Sequence, residues 1–393
     1  MEATKASQGN CQPDEIEKLS KKVVKEIKSV FLPFDKNVTN PYQRQLSEHL
    51  ASFNVQVEKC GSGEFFLKKA LFEWKPDVVH IHWLHPFCTK ASLIESVKDS
   101  FVFICELAIL RVLNVKIIWT VHNLKNHNNK YLKLDRFCTK IVAKLCHAII
   151  AHCEKAKEDI ISTFNISNHD KVFAIPHGNY ISCYENAISR EQARKTLDIA
   201  DSKTVLLFLG LIRPYKGVVA LASTFNQLTL NQPANKNAEL VIAGKVWRDS
   251  LEQGDLIRQQ AAKNEQIQFI PEFVPDKKIQ LYMNASDVVV FPYQDILTSG
   301  AVLLAMSFGK ACIAPRLGCI EEILDDRGAF LYDAGDTAGL QHAIKASIQT
   351  RDQLSTMGAH NYTVAQQYDW GSVAELTYQV YQSIPNPKHS RWR

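Results

Sequence analysis

The chain has 393 residues, 46% of them hydrophobic and 22% charged, and at ~100–200 residues per domain that length favours two domains. Such a composition excludes a disordered chain, a collagen-like fibre and a coiled coil. Lysine and arginine number 46 against 41 acidic residues, a formal charge of +5 spread along the chain, which argues against a nucleic-acid partner and suits anionic ligands.

From the amino terminus, MEATKASQGNCQPDEIEKLSKK has no apolar core of a secretory signal, and a cytoplasmic protein is expected. Strands are predicted at 29–32, 55–58, 78–82, 116–121, 148–151 and 172–175, each a short β-branched run closed by a polar or Gly/Pro loop. The apolar run 101–113, FVFICELAILRVL, is shorter than the ~18 residues of a membrane span and carries Glu106 and Arg111. It reads first as a helix packed on the sheet, with peripheral membrane contact as the other reading. Residues 179–203 are predicted to be free of strands and to hold the domain boundary. Six further strands follow at 205–209, 240–243, 267–270, 288–291, 311–314 and 329–331, and a final helical stretch runs from 368 to 383. Alternation of short buried strands with amphipathic stretches is the mark of parallel sheets covered by helices. The expected fold is α/β: two Rossmann-like domains, 1–185 and 186–367, facing a central cleft, with 368–393 crossing back toward the first.

The ten cysteines are scattered without a C-x-x-C pair and read as buried thiols of a reducing compartment. His80, His82 and His85 look superficially like metal ligands. Alternate strand residues are read as facing opposite ways, so His80 and His82 are not expected to share an ion, and no metal or other cofactor is predicted.

In open parallel sheets ligands bind beyond the carboxyl ends of the strands, so chemistry is sought in the loops there. Gly210, Arg213, Lys216 and Gly217 lie between a strand and a helix, and two cations at a helix start make a natural diphosphate site. A second loop carries Asp295, Thr298, Ser299 and Gly300; its hydroxyls can cap the next helix, and the glycine lets a ligand approach the backbone. Gly244, Lys245, Phe273 and Val274 stand at strand ends where they could wall a nucleotide base. In the first half His122 follows a strand, with His127 and Asp135 beyond it; a histidine so placed can donate to a sugar hydroxyl or phosphate, or carry a proton.

Taken in order, LFLGLIRPYKG, LVIAGK, IQFIPEFVPDKKIQLYMNASDVVVFPY, SGAVLLAMSFGKACIAP and GCIEEIL resemble the donor-binding half of the group 1, family 4 GT-B glycosyltransferases. WTVHN, VFAIPHGN and YDWGSVAELTYQVY resemble that family's first domain and last helix. The resemblance implies a metal-independent hexosyl transfer from a UDP-, GDP- or ADP-linked sugar to a glycan, lipid-linked or small-molecule acceptor. It also implies a retaining outcome and work in polysaccharide assembly, at the inner face of the membrane where the acceptor is a lipid. By the same resemblance Lys216 and Arg213 serve the diphosphate, His122 contacts the donor sugar, and Glu322 matches the glutamate of the last block. The family's two glutamates are missing, since Ile296 and Leu304 stand at their positions; Asp295, one residue earlier, is the candidate replacement for the first. An inverting reaction would need a first-domain carboxylate, for which Asp35 and Glu64 are candidates. A non-catalytic nucleotide-sugar or glycan-binding subunit, and another enzyme on this scaffold such as a sugar-nucleotide epimerase, are the alternative readings.

Overall fold

The computed structural model describes residues 26–34, 40–61, 66–126, 130–230 and 237–385. Asp35, Glu64 and His127 lie outside the described residues, as do most of residues 18–28, which are rich in lysine, and most of residues 34–42 and 61–65, which follow the first two strands.

Two parallel six-stranded sheets form the molecule. The first takes β1 (Ile27–Leu32), β2 (Val55–Lys59), β3 (Val78–Ile81), β4 (Lys116–Thr120), β5 (Ala148–Ala151) and β6 (Val172–Ala174) in the order β2-β1-β3-β4-β5-β6. The second takes β7 (Thr204–Leu209), β8 (Ala238–Ala243), β9 (Ile267–Ile270), β10 (Val288–Val290), β11 (Ala311–Arg316) and β12 (Ala329–Asp333) in the order β12-β11-β10-β7-β8-β9. Every ladder is parallel, as when β7 pairs β8 from Thr204 opposite Ala238 to Leu209 opposite Ala243. β3, β4, β5, β7, β8 and β10 are buried along their whole length, the expected state of a strand covered by helices on both faces. This is the two-domain α/β architecture that the alternation of runs predicts.

The final helix, Trp370–Ser383, packs on the first sheet. Trp370, Val373, Ala374, Val380 and Tyr381 join Phe31, Leu46, Ile118 and Ile150 in one apolar cluster. The Lys116 ammonium donates to the Tyr381 carbonyl at 2.7 Å, and the Trp370 indole N–H donates to the Asn179 carbonyl at 2.7 Å. A Cβ on Gly178 would stand 2.4 Å from the Trp370 ring, so only glycine allows that approach. Within 179–203 the Arg194 guanidinium is buried, bonded to Asp287 at 2.8 Å and to the carbonyls of Ala285, Asp201 and Lys203.

The run 101–113 belongs to the helix Leu93–Val112, started by a capping box between Ser92 and Glu95. Phe103, Leu107 and Leu110 face the core, while Ile94, Val97, Phe101 and Val112 form an exposed stripe. The nine described cysteines are free thiols, seven of them buried. No helix among the described residues is long and apolar enough to cross a membrane.

His80 and His82 correct one expectation. Residues two apart on a strand share a face, and the two rings stack at 4.4 Å; the opposite-face argument does not hold. What occupies His80 is hydrogen bonding, to the Tyr381 hydroxyl and the Thr120 hydroxyl, both at 2.7 Å. Among the described residues no group of three or more His, Cys, Asp or Glu side chains is arranged to hold a metal ion.

Candidate active site

The carboxyl ends of both sheets face one cleft, and three adjoining cavities run along it. The first, of about 320 Å³, lies mainly on the second domain: Gly210, Lys216, Gly244, Lys245, Phe273, Val274, Gly300 and Leu304 line it. The second, of about 200 Å³, shares Lys216 and Gly300 with the first and adds Ile296, Thr298, Ser299, His122 and His177. The third, of about 500 Å³, shares His122, Trp83, Asn123 and Tyr215 with the second and extends to His85, Asp135, Thr139, Arg213 and Trp247. Asn40 borders all three. Its side-chain oxygen accepts from the Tyr180 hydroxyl and from the Tyr42 backbone N–H, each at 3.0 Å.

Glycines set the shape of the donor-side loops. Gly217 has φ +66°, and a Cβ there would stand 1.9 Å from the Pro292 carbonyl oxygen; its absence lets the two loops touch. Gly244, at φ +154°, lies equally close to Gly210. Lys216 ends the short turn Pro214–Lys216, just before the helix Val218–Leu230, and its ammonium reaches to Gly210, 3.2 Å from where a Cβ on that glycine would stand. Burial, and then the neighbouring Arg213, lower its pKa from the ordinary lysine value to about 8. Arg213 lines the third cavity and stacks over the Trp247 ring, 4.6 Å from its centroid. Ser299 caps the helix Gly300–Ser307 by accepting from the Val302 N–H.

Two predicted acidic residues sit elsewhere. Asp295 is not among the residues lining the three cavities; it forms an ion pair at 2.6 Å with Lys125 of the first domain. Glu322 also reaches across, accepting from the backbone N–H groups of Glu154 and Lys155 at 3.2 and 2.6 Å, where it meets the positive end of the helix Glu154–Phe164. The positions that the resemblance gives to glutamates do fall on the cavities, and both are apolar: Leu304 on the first and Ile296 on the second.

His122 belongs to a row that sequence alone did not assemble. His82, His122, His152 and His177 follow the ends of β3, β4, β5 and β6, and Tyr42 packs its ring against all four at 4.8 to 5.7 Å. Their tautomers follow from one fixed acceptor. The Ile175 carbonyl takes the His152 Nδ1–H at 3.1 Å, so His152 Nε2 accepts from His122 Nδ1–H at 3.2 Å. His122 Nε2 then accepts from His82 Nδ1–H at 3.5 Å, and the His82 Nε2 lone pair has no partner. Burial, first of all, pulls the row well below the ordinary histidine range, to about 3 for His152 and about 4 for His177. The rings are therefore neutral near pH 7, and His122 has no ring N–H left over for a ligand. The only sequence signal for the row was histidine recurring just after strands.

Comparison with known proteins places this geometry. A family model described as "Glycosyl transferases group 1" matches residues 203–350, and one described as "Glycosyltransferase Family 4" matches 61–179. A GDP-mannose:glycolipid 4-beta-D-mannosyltransferase from Xanthomonas campestris pv. campestris is 24% identical over 349 residues, covering 87% of this chain and 88% of that protein. A D-inositol 3-phosphate glycosyltransferase from Nocardia farcinica is 24% identical over 240 residues, 60% of this chain and 52% of its own. Among solved structures, a sucrose-phosphate synthase from Thermosynechococcus elongatus superimposes with a TM-score of 0.72 at 15% identity, over 91% of this chain and 99% of the other. HepE of Anabaena in complex with UDP-glucose gives 0.69 at 15% identity, over 91% and 100%. These likenesses share the GT-B fold.

Proposed function

The chain belongs to the group 1 glycosyltransferases, and from that premise we propose that it moves a hexosyl group from a nucleotide-diphosphate sugar to a hydroxyl of a glycan, lipid-linked or small-molecule acceptor. The observation that carries this reading is the succession of three cavities with Lys216 at the joint of the first two. The base and ribose fit the first, between Phe273, Val274 and Leu304; the diphosphate meets Lys216 and the helix N-terminus; the hexose fills the second, and the acceptor enters the third. Arg213, close enough to Lys216 to depress its pKa, adds positive potential on the acceptor side. Catalysis is electrostatic, with fixed charge where the diphosphate departs, and needs no metal. His122 serves by shape and by its engaged ring, stacked on Trp83 at 4.6 Å. Leu304 in place of a ribose carboxylate leaves UDP-, GDP- and ADP-sugars as candidate donors.

Retention, which the family resemblance implies, needs no protein base. A second course, inversion, is favoured by a carboxylate in the third cavity and by the relative matched over nearly its full length, whose name specifies a β-mannosyl product from GDP-mannose. That relative's glycolipid acceptor also supports a lipid-linked acceptor here, and with it action at the inner face of the membrane. The test is incubation of the purified protein with UDP-, GDP- and ADP-sugars and a panel of sugar and lipid-linked acceptors, with products read by mass spectrometry. One donor should be consumed with release of its nucleoside diphosphate; no transfer or hydrolysis from any donor contradicts the proposal.

A further inference from the structure

The reaction must dispose of the acceptor's hydroxyl proton, and the third cavity holds a group suited to take it. We propose that Asp135 is the general base of an inverting transfer, accepting that proton while the acceptor oxygen attacks the hexose from the third cavity. The inference rests on the hexosyl-transfer reading above and fixes its stereochemistry.

Asp135 lies in the first turn of the helix Leu132–Leu145 and is 7% exposed. One helical turn on, Thr139 lines the same cavity, while Phe137 and Lys140 between and beyond them are exposed. Opposite stand Arg213, Tyr215 and Trp247 of the second domain, so the carboxylate faces the cleft. Among the described residues lining this cavity, Asp135 alone carries a carboxylate. Its Oδ2 accepts from the Asn126 backbone N–H at 3.1 Å, which orients the group, and no ion pair among the described residues neutralises it. Lys125 and Arg213 line the same cavity without pairing with Asp135, and burial raises its pKa above the ordinary carboxylate value, which strengthens it as a base.

The cavity's histidines suit the task less well. His122 has both ring nitrogens engaged in the imidazole row. The unpartnered His82 Nε2 is so buried that burial and the neighbouring imidazoles keep its pKa well below the ordinary value, and burial and then Arg213 hold His85 down to about 4. The proposed step balances simply. The acceptor O–H bond breaks and its proton passes to an Asp135 oxygen. The acceptor oxygen bonds to the anomeric carbon as the bond from that carbon to the diphosphate oxygen breaks. That electron pair leaves with the diphosphate toward Lys216, and attack from the face opposite the leaving group inverts the anomeric configuration.

Asp135→Asn tests this, because the amide oxygen can still accept from Asn126 N–H but cannot take the proton. With the donor identified by the panel, kcat should fall by about 100-fold or more, with melting temperature and donor-induced thermal stabilisation unchanged. Azide, a nucleophile that loses no proton, should restore donor consumption by the variant and yield a glycosyl azide of configuration opposite to the donor. Proton NMR of the wild-type product gives a readout independent of any variant, with an inverted linkage expected. A retained linkage, or an Asp135→Asn enzyme within about threefold of wild-type kcat, overturns the proposal. Failure of the underlying reading is distinguishable, since wild-type protein would then transfer from no nucleotide sugar at all.

Discussion

Lys216 holds its charge where burial makes charge expensive, and that gives the donor site a pH dependence with a definite sign. With a pKa lowered to about 8, the side chain is cationic below that pH and loses its charge as pH rises through it. A bound diphosphate favours the charged form and moves the loss upward. We therefore expect kcat/KM for the donor, which reports the free enzyme, to fall above about pH 8, while kcat, which reports the complex, holds to higher pH. Lys216→Arg keeps a permanent charge and should abolish the alkaline fall in kcat/KM; persistence of that fall would assign it to another group. Asp295 and Glu322 show why a carboxylate's place was harder to read than a lysine's. Lys216 is fixed by its own loop and its following helix, whereas Asp295 turns to Lys125 and Glu322 to the N–H groups of Glu154 and Lys155, partners more than 160 residues away that no local pattern announces.

Among the elements, the strands were legible and the row above them was not. All twelve lie within two residues of their predicted bounds, and for the six buried along their whole length the reason is that such a strand must be an apolar run. The imidazole row needs four such strands side by side in order, with Tyr42 brought in by another element, and it exists only once the sheet does. The helix Leu93–Val112 carries a prediction of its own. Its outward stripe leaves Ile94 82% and Phe101 68% exposed, and on the neighbouring helix Leu132–Leu145 Phe137 is 61% exposed beside the exposed cations Lys133, Arg136, Lys140 and Lys144. Exposed apolar side chains on one helix and exposed cations on the next suit an anionic lipid surface, which is where a lipid-linked acceptor would be met. The protein should sediment with vesicles containing phosphatidylglycerol and less so as salt is raised, and Ile94→Glu with Phe101→Glu should abolish sedimentation; equal recovery of wild type and variant contradicts a lipid contact on this face.

At the scale of the whole molecule, the contacts that join the two domains include the Lys125–Asp295 pair, the Glu322 contact with the helix Glu154–Phe164, the Cys153 and Cys319 thiols that face each other, and Leu297 packed into the first domain's apolar core. The final helix joins the first domain's core, so Trp370→Ala, which empties the space beside Gly178, should cost ~3–5 kcal/mol and lower the melting temperature. Buried neutral histidines add a pH dependence of stability. Their folded pKa values lie below the ordinary value near 6.5, to about 3 for His80 and His152, so the unfolded chain binds more protons below that pH. The stability they contribute is complete above pH 6.5 and is lost as pH falls, by up to ~1.4 kcal/mol per pH unit for each such group. Melting temperature should thus drop between pH 7 and pH 5, and a flat profile would mean that the row is hydrated and titrates freely. The most direct test of a donor held at Lys216 is the thermal shift produced by nucleotide sugars on wild type and on Lys216→Ala, since a ligand that binds only the folded state raises its apparent stability. One nucleotide sugar should raise the melting temperature of the wild type with a saturable dependence and leave the variant unmoved; an equal shift in both proteins, or none in either with any donor, would contradict the site.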